Sequence, residues 1–239
     1  DKEFYRKSTS ELKMSDKFKA PYTIHKRGSG DKKVLLLHGW EGRASDFNKL
    51  VSDLEKDMTI YAVDFPGHGA SPKSRAHLPI FIDVIESALR TLDKIDAVIG
   101  HSLGAASLAM AVGRNNFEDR ADKLLFLGLH PEPSQYFLQY RNATKINENV
   151  FKRSVKLAES KTGAKLLEFS CYNYLDNYSR FKMHFIHDQH DKIISVKRVE
   201  ELAEKLTDAV VFKGDHGGHF RHYKHQEVVD EIRKIVTGK

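Results

Sequence analysis

Ser102 stands in the run Gly100-His101-Ser102-Leu103-Gly104, directly after the apolar segment Asp96–Ile99 and directly before the small, apolar stretch Ala105–Val112. The segment reads as a buried strand and the stretch as a helix, so the serine sits on a sharp strand-to-helix turn. Glycines on both sides fit a turn too tight for Cβ atoms. The same turn sets the Ser102 hydroxyl at a helix N-terminus, where free N–H groups and the dipole favour developing negative charge. A serine hydroxyl is a poor nucleophile at neutral pH. It needs a neighbouring base, and the base needs a partner that fixes its tautomer. Two later loops carry those residue types, each after a short apolar run. Asp188-Gln189-His190-Asp191 follows His184–His187, and Gly214-Asp215-His216-Gly217-Gly218-His219 follows Val210–Lys213. Together these residues could drive attack of an activated serine on a carbonyl carbon.

A 239-residue chain with 40% hydrophobic and 10% aromatic residues can bury a sizeable core, which excludes disorder and predicts one domain, or one with an insertion. Strands are expected at Val34–His38, Thr59–Val63, Asp96–Ile99, Leu124–Leu129, His184–His187 and Val210–Lys213, with Tyr22–Lys26 as an antiparallel edge. Helical stretches lie between them. Phe47, Leu50, Val51 and Leu54 are spaced for one helix face, as are Phe81, Ile85, Ala88 and Leu92, and Val199, Leu202, Ala203 and Leu206. This alternation predicts an α/β fold, a mostly parallel sheet with helices on both faces. Residues 131–180 are too long for a connection. Their aromatics, Tyr136, Phe137, Tyr140, Tyr172, Tyr174 and Tyr178 among apolar Ile146, Val150, Leu157, Leu166 and Leu167, suggest two or three helices inserted as a lid over the sheet. The expected division is a basic, partly frayed arm over 1–20, a core over 21–130 and 181–239, and the lid over 131–180.

Four motifs bear a further resemblance: His38-Gly39-Trp40, the run Asp64-Phe65-Pro66-Gly67-His68-Gly69-Ala70-Ser71, the Ser102 turn, and Gly218-His219 before a last helix. With these the sequence resembles the α/β-hydrolase superfamily in its serine-nucleophile, esterase-like branch, from about Tyr22 to Val236. In that family the order along the chain is serine, acid, histidine. The resemblance implies Ser102 as nucleophile and His219, rather than His216, as base. It favours Asp191 as the acid over Asp188, which replaces the glycine of the family's strand-His-Gly-x-x-Asp pattern and would then brace the loop. It further implies an oxyanion hole from the N–H groups of Leu103 and Trp40, the Trp40 ring either beside the acyl pocket or packed under the lid, and structural roles for His38 and the Asp64–Ser71 run.

The function expected on this basis is hydrolysis of a carboxylic ester or thioester of a small, apolar acyl substrate through an acyl-enzyme. A C–C bond hydrolase and a non-catalytic ligand-binding member of the same fold are the alternatives. Serine at position 102 argues against epoxide or halide chemistry, which uses aspartate there. No cofactor is expected, because neither G-x-x-x-x-G-K-[ST] nor G-x-G-x-x-G occurs where a phosphate cradle would need it. No metal is expected either. His184, His187 and His190, and His216, His219, His222 and His225, recur every third residue, but His184 and His187 are an odd number apart on a strand and face opposite sides, no carboxylate–His pair has a zincin spacing, and the His-rich loops read as surface. A formal net charge of +6 comes from dispersed lysines and arginines, which points away from nucleic acid. No run reaches the ~20 apolar residues of a membrane span. The partner expected is a small-molecule ester, and the protein a monomer or homodimer. The lone Cys171 rules out an intrachain disulfide and suits a reducing compartment, so a cytoplasmic location is expected, although a leader removed before Asp1 would leave no trace.

Overall fold

A computed structural model of the protein describes residues 2–215 and 217–238. His216, the rival base, lies outside the described residues, as do the side chains of Phe137, Gln139, Tyr140 and Leu167. Eight strands form one sheet in the order β1-β2-β4-β3-β5-β6-β7-β8: β1 (Thr9–Met14), β2 (Pro21–Arg27), β3 (Lys32–Leu37), β4 (Met58–Asp64), β5 (Ile95–His101), β6 (Ala121–Leu127), β7 (Lys182–Asp188) and β8 (Val210–Gly214). The strands from β3 to β8 run parallel, and β1 and β2 are antiparallel.

Ten α-helices accompany the sheet among the described residues: α1 (Lys2–Arg6), α2 (Asn48–Leu54), α3 (Leu78–Thr91), α4 (Leu103–Arg114), α5 (Ser134–Thr144), α6 (Glu148–Thr162), α7 (Leu175–Tyr178), α8 (Val196–Ala203), α9 (Gly218–Arg221) and α10 (Gln226–Thr237). They cover both faces, and the period of two along the strands decides which residue meets which helix. Leu35 and Leu37 of β3, with Val98 and Phe126, pack on α3, α4 and α8. Val34 and Leu36, with Ile99 and Leu125, pack on α2 and α10. Burial on both faces is why these strands read as continuous apolar runs.

Two parts differ from expectation. Tyr22–Lys26 lies in an antiparallel strand but not at the edge, because residues of the supposed arm form β1 and pair with β2 from Thr9↔Lys26 to Met14↔Pro21. Leu12 and Met14 are exposed, so β1 shows no buried alternation and is held by its backbone ladder and by the hydrogen bond between Ser10 Oγ and His25 Nδ1 at 2.7 Å. Ahead of it, Phe4 is buried against the β3 face with the Arg27 guanidinium over its ring, which ties the start of the chain down. The second difference concerns residues 131–180. Their first part forms α5 and α6, with Val150 and Leu157 exposed. Their last part belongs to the core packing. Leu166, Phe169, Cys171 and Tyr178 are buried with α4, Tyr178 Oη donates to the Ala109 carbonyl at 3.0 Å, and a Cβ at Gly113 would stand 2.7 Å from the Tyr174 ring. A tyrosine clamp on α4 is invisible to periodicity, because it is a long-range contact from a segment without helical spacing.

Candidate active site

β5 ends at His101 and α4 begins at Leu103, which leaves Ser102 alone to make the turn. It does so at φ 51° and ψ −115°, a conformation that costs a non-glycine residue roughly 1–3 kcal/mol. The flanking glycines permit the close approach that this turn demands. A Cβ at Gly104 would lie 2.5 Å from the carbonyl oxygens of Leu37 and His38, and one at Gly100 would lie 2.7 Å from Ala105 Cα. Gly39 is constrained as well, its missing Cβ standing 3.1 Å from Ser102 Cβ, so the loop after β3 runs directly beside the serine. Leu103, as the first residue of α4, offers an N–H without an intrahelical acceptor.

The loops after β7 and β8 bring the acid and the imidazole to this serine. His219 Nε2 is 2.8 Å from Ser102 Oγ, and His219 Nδ1 is 2.7 Å from Asp191 Oδ2. An ionised carboxylate can only accept, so Nδ1 carries the proton and Nε2 turns a lone pair to the hydroxyl. Asp191 is itself locked. Its Oδ1 accepts the N–H groups of Ile193 and Ile194, both at 2.8 Å, and His187 Nε2 stands 3.3 Å from Oδ2 while donating to the Ile194 carbonyl at 2.8 Å. Burial pushes the Asp191 carboxyl up, but the hydrogen bonds from His187, His219 and Ile194 outweigh it and hold the group well below the usual carboxylate range. Asp188 does not meet His219. Its Oδ1 accepts the His190 N–H at 2.8 Å and its Oδ2 is buried without a hydrogen-bond partner, so it shapes the turn.

The loops that frame the serine are braced by polar groups. Phe65 N–H donates to His38 Nε2 at 3.1 Å, which leaves His38 Nδ1–H to donate to the Gly39 carbonyl at 2.7 Å. Asp64 accepts from Ala44 and Ala70 N–H and from His25 Nε2. Between the loop after β3 and the turn after His219 lies a cavity of about 300 Å³ that reaches Ser102. Trp40 and Phe220 stand at its mouth, 53% and 63% exposed. No described residue from 131–180 lines it, so the inner wall expected from a lid is supplied here by Trp40, Glu41, Phe47 and Tyr223. Among the described residues no group of three or more His, Cys, Asp or Glu side chains could hold a metal ion, and no helix is long and apolar enough to cross a membrane.

The sequence profile of the α/β hydrolase family matches residues 34–231. The chain belongs to that family. A serine hydrolase-like protein of Homo sapiens is 32% identical over 99 residues, which are 39% of this chain and 48% of that protein. The chain thus spans about half the length of this relative. An esterase from Exiguobacterium antarcticum superposes with a TM-score of 0.73 at 13% identity, over 96% of this chain and 100% of its own. A thioesterase domain from the curacin biosynthetic pathway gives 0.68 at 14% identity, over 97% and 100%. At such identities the likeness speaks for the fold.

Within this hydrolase fold, sequence reasoning missed a set of buried imidazoles. His222 was expected on a surface loop, yet it is buried, as is His187 of β7, and only His190 of that first series stands in solvent. His101 Nε2 meets the His219 carbonyl at 2.8 Å, and His222 Nδ1 meets the Gly218 carbonyl at 3.0 Å, so both buttress the turn that carries His219. Burial lowers His38 and His222 to about 4 and His101 to about 3, and these rings are neutral at pH 7. The unfolded chain binds protons on them below about pH 6.5 while the folded protein does so only near 3–4, so stability falls as pH drops through that window. Asp191 contributes separately: its depressed carboxyl stabilises the fold above the unfolded value of 3.8 and loses that effect only at lower pH. Thermal melts are therefore expected to shift downward between about pH 7 and pH 5. A flat melting temperature over that range would mean that the imidazoles accept protons without cost.

Proposed function

We propose that this α/β hydrolase cleaves a carboxylic ester or thioester of a small, apolar acyl group through an acyl-enzyme. The observation that carries the reading is the unbroken chain of hydrogen bonds from Ser102 Oγ through His219 to Asp191. In the proposed cycle His219 Nε2 takes the Ser102 proton as Oγ attacks the carbonyl carbon. Asp191 stabilises the resulting imidazolium. The carbonyl oxygen becomes an oxyanion, for which the N–H groups of Leu103 and Trp40 are the proposed donors. His219 then gives its proton to the leaving alkoxide or thiolate. A water molecule, deprotonated by the same nitrogen, attacks the acyl-enzyme and releases the acid with the Ser102 proton restored. Two exposed aromatic rings at the mouth of the cavity support an apolar acyl group, since they offer area and few hydrogen bonds. The segment over 131–180 enters the proposal as a cap whose outer part is α5 and α6.

A fluorophosphonate probe tests the reading without knowledge of the substrate. The intact protein is expected to become covalently labelled at Ser102, with adduct mass and peptide mapping as the readout, and Ser102→Ala to stay unlabelled. An unlabelled wild-type protein would point to a binding shell that has kept the fold without the reaction.

A further inference from the structure

A second cavity, of about 610 Å³, opens between the turn joining β1 to β2, the loop leading into α3, and helix α6. It shares no lining residue with the cavity at Ser102. Its volume lies within the roughly 300–1,000 Å³ of small-molecule sites. Its lining divides by chemistry. Phe18, Ala20, Ile80 and Ala158 supply apolar surface, with Ala20 and Ile80 nearly buried. Lys19, Arg75 and Lys161 supply three cations, one from each wall, and no carboxylate lines the space.

Those cations make no ion pair with any described residue, unlike Lys32 and Lys33 of β3 and Arg90 of α3. The turn that carries Phe18 and Lys19 is fixed rather than loose. Asp83 of α3 accepts the N–H groups of Lys17 and Phe18, and Ser15 and Ala20 close the turn with two further hydrogen bonds. Lys19 is held there at a φ of 50°, a left-handed conformation that a side chain rarely adopts. Three like charges brought together over apolar surface repel one another unless an anion joins them.

We propose that this cavity binds a small amphiphilic anion, its carboxylate or phosphate head between Lys19, Arg75 and Lys161 and its apolar body against Phe18, Ala20, Ile80 and Ala158. The site is separate from Ser102 and does not depend on its chemistry. Fatty acids and single-chain phospholipids share this design, and the head group distinguishes them.

Isothermal titration of the intact protein with laurate, lauryl phosphate, lauryl alcohol and inorganic phosphate tests the assignment. Laurate or lauryl phosphate is expected to bind at one site, the tighter of the two naming the head group, with lauryl alcohol and inorganic phosphate each weaker by about tenfold or more. Lys19→Glu combined with Lys161→Glu should weaken the anion by a similar factor of about ten, while Lys161→Arg retains it. Both lysines are exposed, so the fold should tolerate these changes. Trp40→Ala, at the other cavity, should leave the isotherm unaltered. Equal affinity for lauryl alcohol, an unchanged isotherm in the double variant, or binding lost in Trp40→Ala would each overturn the proposal. Probe labelling of Ser102 is read separately, so either result leaves the reading of the catalytic site standing or falling on its own.

Discussion

Ser102→Ala is expected to lower kcat for a short activated ester by roughly four to six orders of magnitude, with the melting temperature unchanged or raised. The size of the loss follows from the role proposed for Oγ. Without it no acyl-enzyme forms, and His219 is left to activate water at a distance that the geometry was not built for. The intact fold follows from the position. Ser102 is half-buried, its backbone N–H is satisfied by the Leu127 carbonyl at 2.9 Å, and its side chain meets His219. Alanine keeps the backbone bond and removes a polar group from a strained turn, the usual trade between activity and stability. The check is turnover of p-nitrophenyl acetate beside a thermal melt. Retained turnover in a folded variant would place the nucleophile elsewhere. Cys171 is not a substitute, since burial pushes its thiol up to about 12.

Much of this arrangement was legible because parallel strands buried on both faces leave an apolar signature. Val34–His38, Thr59–Val63 and Asp96–Ile99 each fall on a strand to within two residues. The glycines around Ser102 were legible for a related reason: a turn with no room for Cβ writes its geometry into residue type. What escaped was held by contacts that leave no local pattern. Thr9–Met14 joins the sheet through main-chain bonds, which every residue can make, and its exposed Leu12 and Met14 carry no alternation. His222 looks like a polar loop residue until the fold buries it, and what it and His187 of β7 do, meeting the Gly218 and Ile194 carbonyls, is not written in any local pattern. The wall of the Ser102 cavity shows the same limit. An aromatic-rich stretch suggested its source in 131–180, whereas among the described residues Trp40 reaches it from the loop after β3, Phe220 from α9 and Tyr223 from the helical turn that follows.

The carboxylates that end β7 and follow it provide the sharper test, because they lie three residues apart and only one meets His219. Asp191→Asn is expected to reduce kcat by about four orders of magnitude, and Asp188→Asn by less than about tenfold. The amide at position 191 has little choice of orientation. Its oxygen must face the N–H groups of Ile193 and Ile194, which now donate to Oδ1 at 2.8 Å, so the NH₂ takes the place of Oδ2. There it points a donor at His219 Nδ1, which stands 2.7 Å away, and at His187 Nε2 on the other side. His219 can answer only by moving its proton to Nε2, and an Nε2–H cannot accept the proton of Ser102. The nucleophile is then present, correctly placed and unactivated. At position 188 an amide oxygen still accepts the His190 N–H, and the NH₂ replaces an oxygen that has no partner. The hydrogen bonds of His219 are untouched. Steady-state turnover of both variants, with melting curves to exclude unfolding, decides the ranking. Loss of activity in Asp188→Asn with Asp191→Asn largely active would move the orienting role to the residue that replaces the family's glycine.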